Sequence, residues 1–82
     1  MAQPGNRTPI FPTQAATVTA SDSTTFEPSV VLCQVSGDIK VQPAGGGTAV
    51  TYASWPANTP IPLMVVMVYS TGTTATTIIR HY

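Results

Sequence analysis

Charge is what this sequence has least of. Three Lys and Arg stand against three Asp and Glu, 7% of the residues in all, where a soluble domain carries about 25%. No basic face is available for phosphates, so nucleic-acid binding is not expected. An anionic membrane surface has nothing to attract either. One cysteine, Cys33, rules out an intrachain disulfide. In the apolar run Val30–Val35 it reads as a small buried hydrophobe. One histidine, His81, leaves a metal site within a single chain short of ligands. The apolar run at 61–69 is far shorter than the roughly 20 residues of a membrane helix, and Pro62 interrupts it. The first residues, MAQPGNRTPIFPTQ, have no apolar core and no cleavage pattern, so no signal peptide is expected and synthesis in the cytoplasm is.

What remains is a chain of 82 residues whose polarity comes mostly from Thr and Ser. Such a length holds one domain. Ordering a residue costs about 1.5 kcal/mol, and in so small a core burial at about 25 cal/mol per Å² only about matches that. Natural chains of this size add disulfides, metals or partners. With the first two short of residues, oligomerisation or docking on a larger body is expected.

Along the chain, Pro4, Pro9 and Pro12 rule out a helix or a central strand near the start. Residues 1–16 read as an extended proline-rich arm with Ile10 and Phe11 as its anchor, and 17–82 as the β-domain. A short edge strand is expected at 17–20. The stretch SDSTTFEP is a turn-rich connection in which Asp22 and Ser23 bond nearby backbone N–H groups. Val30–Val35 is a strand. Ser36, Gly37 and Asp38 read as a tight hairpin turn, and residues 39–42 alternate with Ile39 and Val41 inward. PAGGG is a flexible turn, 48–53 a strand with Val50 and Tyr52 on one face, and SWPANT a loop. A strand at 61–69, a turn centred on Gly72 and a terminal strand at 75–82 then form a second hairpin. The fold class is all-β: a small antiparallel sandwich or barrel of about five to six strands, with no helix. Residues 61–69 are apolar on both faces, Leu63, Val65, Met67 and Tyr69 against Met64, Val66 and Val68. One face fills the domain's core, and the other needs a second cover.

No chemistry-bearing constellation stands out. Gly45–Gly47 precedes a strand rather than a helix and no Gly-Lys-Ser/Thr occurs, so it is a turn and not a phosphate cradle. Asp22 or Asp38 with His81 and a serine lacks a nucleophile elbow and an oxyanion hole. Glu27 with Asp38 as a glycosidase pair lacks a pocket. Neither catalysis nor a cofactor is expected. Threonines at 71–77 lack the repeat of an ice-binding ladder. Trp55 and Tyr52 read as a core anchor beside Pro56, with an exposed carbohydrate-binding platform as the alternative. The expected interface residues are Ile10, Phe11, Trp55, Met64, Val66, Val68 and Tyr82.

Several segments carry a resemblance: TVTASDSTTF at 17–26, GDIKVQPAGGGTAVTY at 37–52, the proline-bearing loop before PIPLMVV, and above all STGTTATTI at 70–78. The run 17–82 resembles the small spike-base proteins of tailed phages and phage-derived gene transfer agents. It departs from them in having Val65, Val66 and Met67 where basic side chains are frequent, in the polar ending Arg80, His81 and Tyr82, and in the longer arm. The resemblance implies a non-enzymatic virion protein, a spike-base or head-decoration subunit forming a cyclic homo-oligomer. Its implied partners are the major capsid protein and a head spike or fibre, and its implied location is the capsid surface. The alternative expectation is a carbohydrate- or host-surface-binding β-module of a tail fibre or tip.

Overall fold

The computed structural model describes residues 12–82. These form two three-stranded antiparallel sheets, and no helix occurs among them. The strands are β1 (Ala15–Val18), β2 (Val30–Val35), β3 (Gly37–Pro43), β4 (Val50–Trp55), β5 (Val65–Val68) and β6 (Thr76–His81). One sheet has the order β1-β6-β2, the other β4-β3-β5. Val31, Cys33 and Ile78 from the first meet Ile39, Val41, Val65 and Val68 from the second in one core, completed by Ile61 and Ala75. The all-β expectation holds, and Cys33 is a free, buried thiol as expected.

Two of the expected hairpins do not form. β2 and β3 follow each other across Ser36 but lie in different sheets, so the chain crosses from sheet to sheet at Ser36, and Gly37 and Asp38 already belong to β3 instead of a tight turn. Likewise β5 pairs with β3, while β6 runs between β1 and β2 as a central strand. The chain end is the middle of a sheet because residues 78 and 79 supply the apolar, β-branched side chains that a strand flanked on both sides demands. Only the β3–β4 hairpin forms as read. Its turn carries Gly46 and Gly47 at φ of 90° and 88°, conformations that glycine adopts without steric cost.

The expected strand at 61–69 splits at Pro62. The N–H of Leu63 donates to the carbonyl of Ile61 at 2.7 Å, a three-residue turn centred on the proline. Before it, Ile61 is fully buried and its N–H donates to Val31 O at 2.9 Å, along the outer edge of β2. After it, β5 runs beside β3. The β3–β5 register passes from Gln42–Met67 to Pro43–Val65, so Val66 is the extra residue of a bulge. That bulge breaks the two-residue alternation and turns both Val65 and Val68 into the core.

The segment 69–75 is laid along β3 instead of closing a hairpin. Tyr69 N–H donates to Lys40 O at 2.9 Å, and Thr74 and Ala75 N–H donate to Asp38 O at 2.8 and 3.0 Å. Two threonine hydroxyls accept from the same strand: Lys40 N–H to Thr73 Oγ1 and Asp38 N–H to Thr74 Oγ1, each 2.9 Å. The threonines of the TGTTAT stretch thus stand in for a strand partner where β5 has ended.

Candidate assembly interface

The sheet edges decide what this surface can do, because an unpaired edge is a row of backbone donors and acceptors. Two of the four edges are covered by the chain itself. Along β5, N–H groups of Ser21, Phe26 and Ser29 donate to Val68, Val66 and Val65 carbonyls at 2.8–2.9 Å. Along β2, Asn58 and Ile61 N–H donate to Cys33 and Val31 carbonyls. Among the described residues no backbone partner lies along the outer edges of β1 and β4.

The groups on those two edges follow from the ladders. Gln14 and Tyr82 exchange both backbone bonds, at 2.8 and 3.0 Å. Bonded pairs alternate with non-bonded ones in an antiparallel ladder, so Ala16 and Val18 bond β6 while Ala15 and Thr17 point outward. On β3, Asp38 and Lys40 direct their N–H and C=O toward residues 69–75. Ile39 and Val41 therefore bond Tyr52 and Val50, which leaves the groups of Thr51 on the free edge of β4. The register shifts beyond Tyr52, so Ala53 and Ser54 both stand opposite Asp38; the Ser54 N–H turns in to Asp38 Oδ1, which leaves the Ala53 carbonyl of the same peptide on the outer side.

Neither edge is guarded. β1 reads AATV and β4 reads VTYASW, with no charge and no proline. The few charges elsewhere among the described residues each have a partner on the chain, although Asp22 and Glu27 stay exposed. Arg80, whose side chain is 17% exposed, places its guanidinium 3.9 Å from the Tyr82 ring centre and 5.2 Å from that of Phe26. It also donates to Ser29 Oγ at 3.2 Å. Lys40 Nζ lies 4.9 Å from the Tyr69 ring centre. Asp38 Oδ1 accepts from Ser54 N–H. Asp22 accepts from Ser70 N–H, Thr71 N–H and, at 2.6 Å, the Thr71 hydroxyl. These bonds, the Thr71 hydroxyl first, hold its carboxyl below the ordinary value. The expected local turn is made instead by Ser21, whose Oγ accepts from Ser23 and Thr24 N–H.

The expected interface residues divide. Met64 is 45% exposed and Val66 half-buried, both outside the core cluster. Val68 is a correction: at 1% exposure it belongs to the chain's own core, because the bulge at Val66 reverses its face. Trp55 ends β4 rather than lying in a loop, packs on the core cluster, and donates its indole N–H to Thr59 O at 2.6 Å. Its ring meets Tyr52 at 66°, so the two rings make an edge contact and not one flat stacking plane. Tyr82 is half-buried against Arg80. Ile10 and Phe11 lie outside the described residues. The arm boundary expected after residue 16 falls inside β1, and Thr13 and Gln14 already bond Tyr82.

Sequence reasoning missed Val35 and Val50, exposed at 52% and 37%. Gln34 was a signal for the first, since a polar residue there marks the end of β2's buried stretch. The residues weighed for catalysis have separate partners. Asp22 and Asp38 bind backbone N–H groups as above, His81 Nδ1 lies 3.2 Å from Val30 O, and Glu27 is 3.9 Å from Arg80. No group of three or more His, Cys, Asp or Glu suited to a metal occurs among the described residues. No protein-family model matches the chain, and no curated protein matches it.

Proposed function

We propose that this chain is a structural virion subunit, a spike-base or head-decoration protein that forms a cyclic homo-oligomer on the capsid surface and anchors a projecting spike or fibre. The observation that carries the reading is how little charge the chain has, three Lys and Arg and three Asp and Glu in 82 residues. Both basic side chains among the described residues lie over aromatic rings, and two of the three carboxylates bind backbone N–H groups. A free monomer gains solubility from exposed charge. A subunit covered by neighbours on a shell does not need it, and many weak symmetric contacts supply its attachment. The likeness of residues 17–82 to phage spike-base proteins supports the same role, with the major capsid protein beneath and the spike or fibre above.

The test is to incubate the purified protein with empty phage-like heads lacking it, and to image the particles. The expected result is added density around one class of capsid symmetry axis, in as many copies as the axis has folds. A monomer that does not sediment with heads overturns the reading.

A further inference from the structure

We infer that β4 of one copy pairs antiparallel with β1 of a second copy, making a head-to-tail contact that continues the β4-β3-β5 sheet of one subunit into the β1-β6-β2 sheet of the next. Three observations converge on it. First, β1 and β4 are the two edges that the described chain leaves uncovered, and one lies in each sheet. A chain with two different open edges is built for a heterologous contact, which repeats from copy to copy.

Second, the parity of the two edges matches. On β4, Thr51 presents an outward N–H and C=O and Ala53 an outward C=O; on β1, Ala15 and Thr17 each present both. Placing Thr51 opposite Thr17 of the second copy sets Ala53 opposite Ala15, so both bonds of the Thr51 pair form and the Ala53 carbonyl faces the Ala15 N–H. The same register puts Tyr52 opposite Ala16 and Val50 opposite Val18. Tyr52 and Val18 pack on their own cores while remaining partly exposed, and Val50 is among the exposed large apolar residues. Inward side chains thus meet inward side chains. A slip by one residue breaks hydrogen-bond parity and face matching together.

Third, size favours β1 over a second β4 as the occupant. β4 is bulky where it faces inward, with Tyr52 and Trp55, and β1 is small, with Ala16 and Val18. Large against small interdigitates; pairing two β4 strands about Tyr52 sets tyrosine on tyrosine. The absence of charge or proline on either edge leaves the pairing unopposed.

The contact specifies how the subunit proposed above would assemble, but it stands on the strand edges alone. An oligomer that ignores heads keeps the contact and removes the virion role. Thr51→Cys and Thr17→Cys are made as single variants, one isotopically labelled, and oxidised separately and as a mixture. Cys33 is buried and stays in place. A bonded antiparallel pair separates Cα atoms by about 5.5 Å, within disulfide reach. The expected product is a mixed covalent dimer, with neither variant cross-linking alone. Sedimentation of the unmodified chain should show species larger than 8.5 kDa. Thr17→Pro, which removes one outward N–H from an edge strand, should weaken that association about tenfold or more while circular dichroism stays β-rich. Cross-linking of Thr51→Cys with itself, no mixed dimer, or a monomer at every concentration overturns the pairing.

Discussion

Gly37 and Ala75 pack backbone against backbone: a Cβ placed on Gly37 would lie 2.7 Å from the Ala75 nitrogen and 2.9 Å from Thr74 Oγ1. The glycine allows residues 73–75 to lie flat along β3 where the chain crosses between sheets. Gly37→Ala must push this segment away and lose the Asp38 N–H bond to Thr74. Overpacking of this kind costs about 1–3 kcal/mol. Gly45→Ala is the control, since nothing lies within 4 Å of its added methyl. Urea midpoints should fall for the first and stay within about 0.5 kcal/mol of the parent for the second.

Thr77 holds a φ of 56° within β6, a left-handed conformation that a β-branched side chain tolerates poorly. Relief of that conformation is worth about 1–2 kcal/mol, while glycine in a strand loses about 0.5–1 kcal/mol in chain entropy. The first term is larger, so Thr77→Gly should raise stability by about 0.5–1 kcal/mol. Its side chain is exposed, so no packing is lost. Thermal unfolding checks this, and a lowered Tm would mean that the threonine's strand preference outweighs the strain.

How much of this was legible follows from which residues acted locally. The β3–β4 hairpin was readable because its alternation and its glycines lie within one short stretch. The crossing before Gly37 was not, since a glycine's reason here is a backbone 38 positions later, at Ala75. A period-two count puts Val68 on the wrong face because it has no place for the extra residue at Val66. Pro62 was visible as a break, but that it sends Ile61 to the edge of β2 depends on the sheet order. The open edges of β1 and β4 are likewise properties of topology, which a strand list leaves undetermined.

Arg80 owes its position to Tyr82 more than to Glu27. The guanidinium lies 3.9 Å from the Tyr82 ring centre, whereas the Glu27 carboxylate is 3.9 Å away at its nearest and 63% exposed. Exposed ion pairs contribute about 0–1 kcal/mol, and a partly desolvated cation–π contact about 1–2 kcal/mol. Glu27→Gln should therefore change stability by less than about 0.5 kcal/mol. A double-mutant cycle between Arg80→Met and Tyr82→Leu should give a coupling of about 1 kcal/mol or more. A coupling near zero would assign Arg80 to its Ser29 bond instead.

Asp22 ties the connection between β1 and β2 to the turn at Ser70 and Thr71, and its carboxyl sits below the ordinary 3.8. A depressed folded-state pKa means that the unfolded chain takes up the proton first as pH falls. The stabilisation is therefore fully present above the unfolded value and is lost as pH drops through the folded one. Tm should decline below about pH 4 in the parent protein. In Asp22→Asn, which keeps the shape but does not titrate, that part of the decline should vanish, with a lower Tm at neutral pH. Thr71→Val removes the hydroxyl that contributes most to the shift. It should bring the folded value closer to the unfolded one, so that the decline becomes smaller and ends at a higher pH, which melts taken between pH 2 and 6 would resolve. Parallel curves for the parent and Asp22→Asn would show that the clamp adds nothing to the folded state.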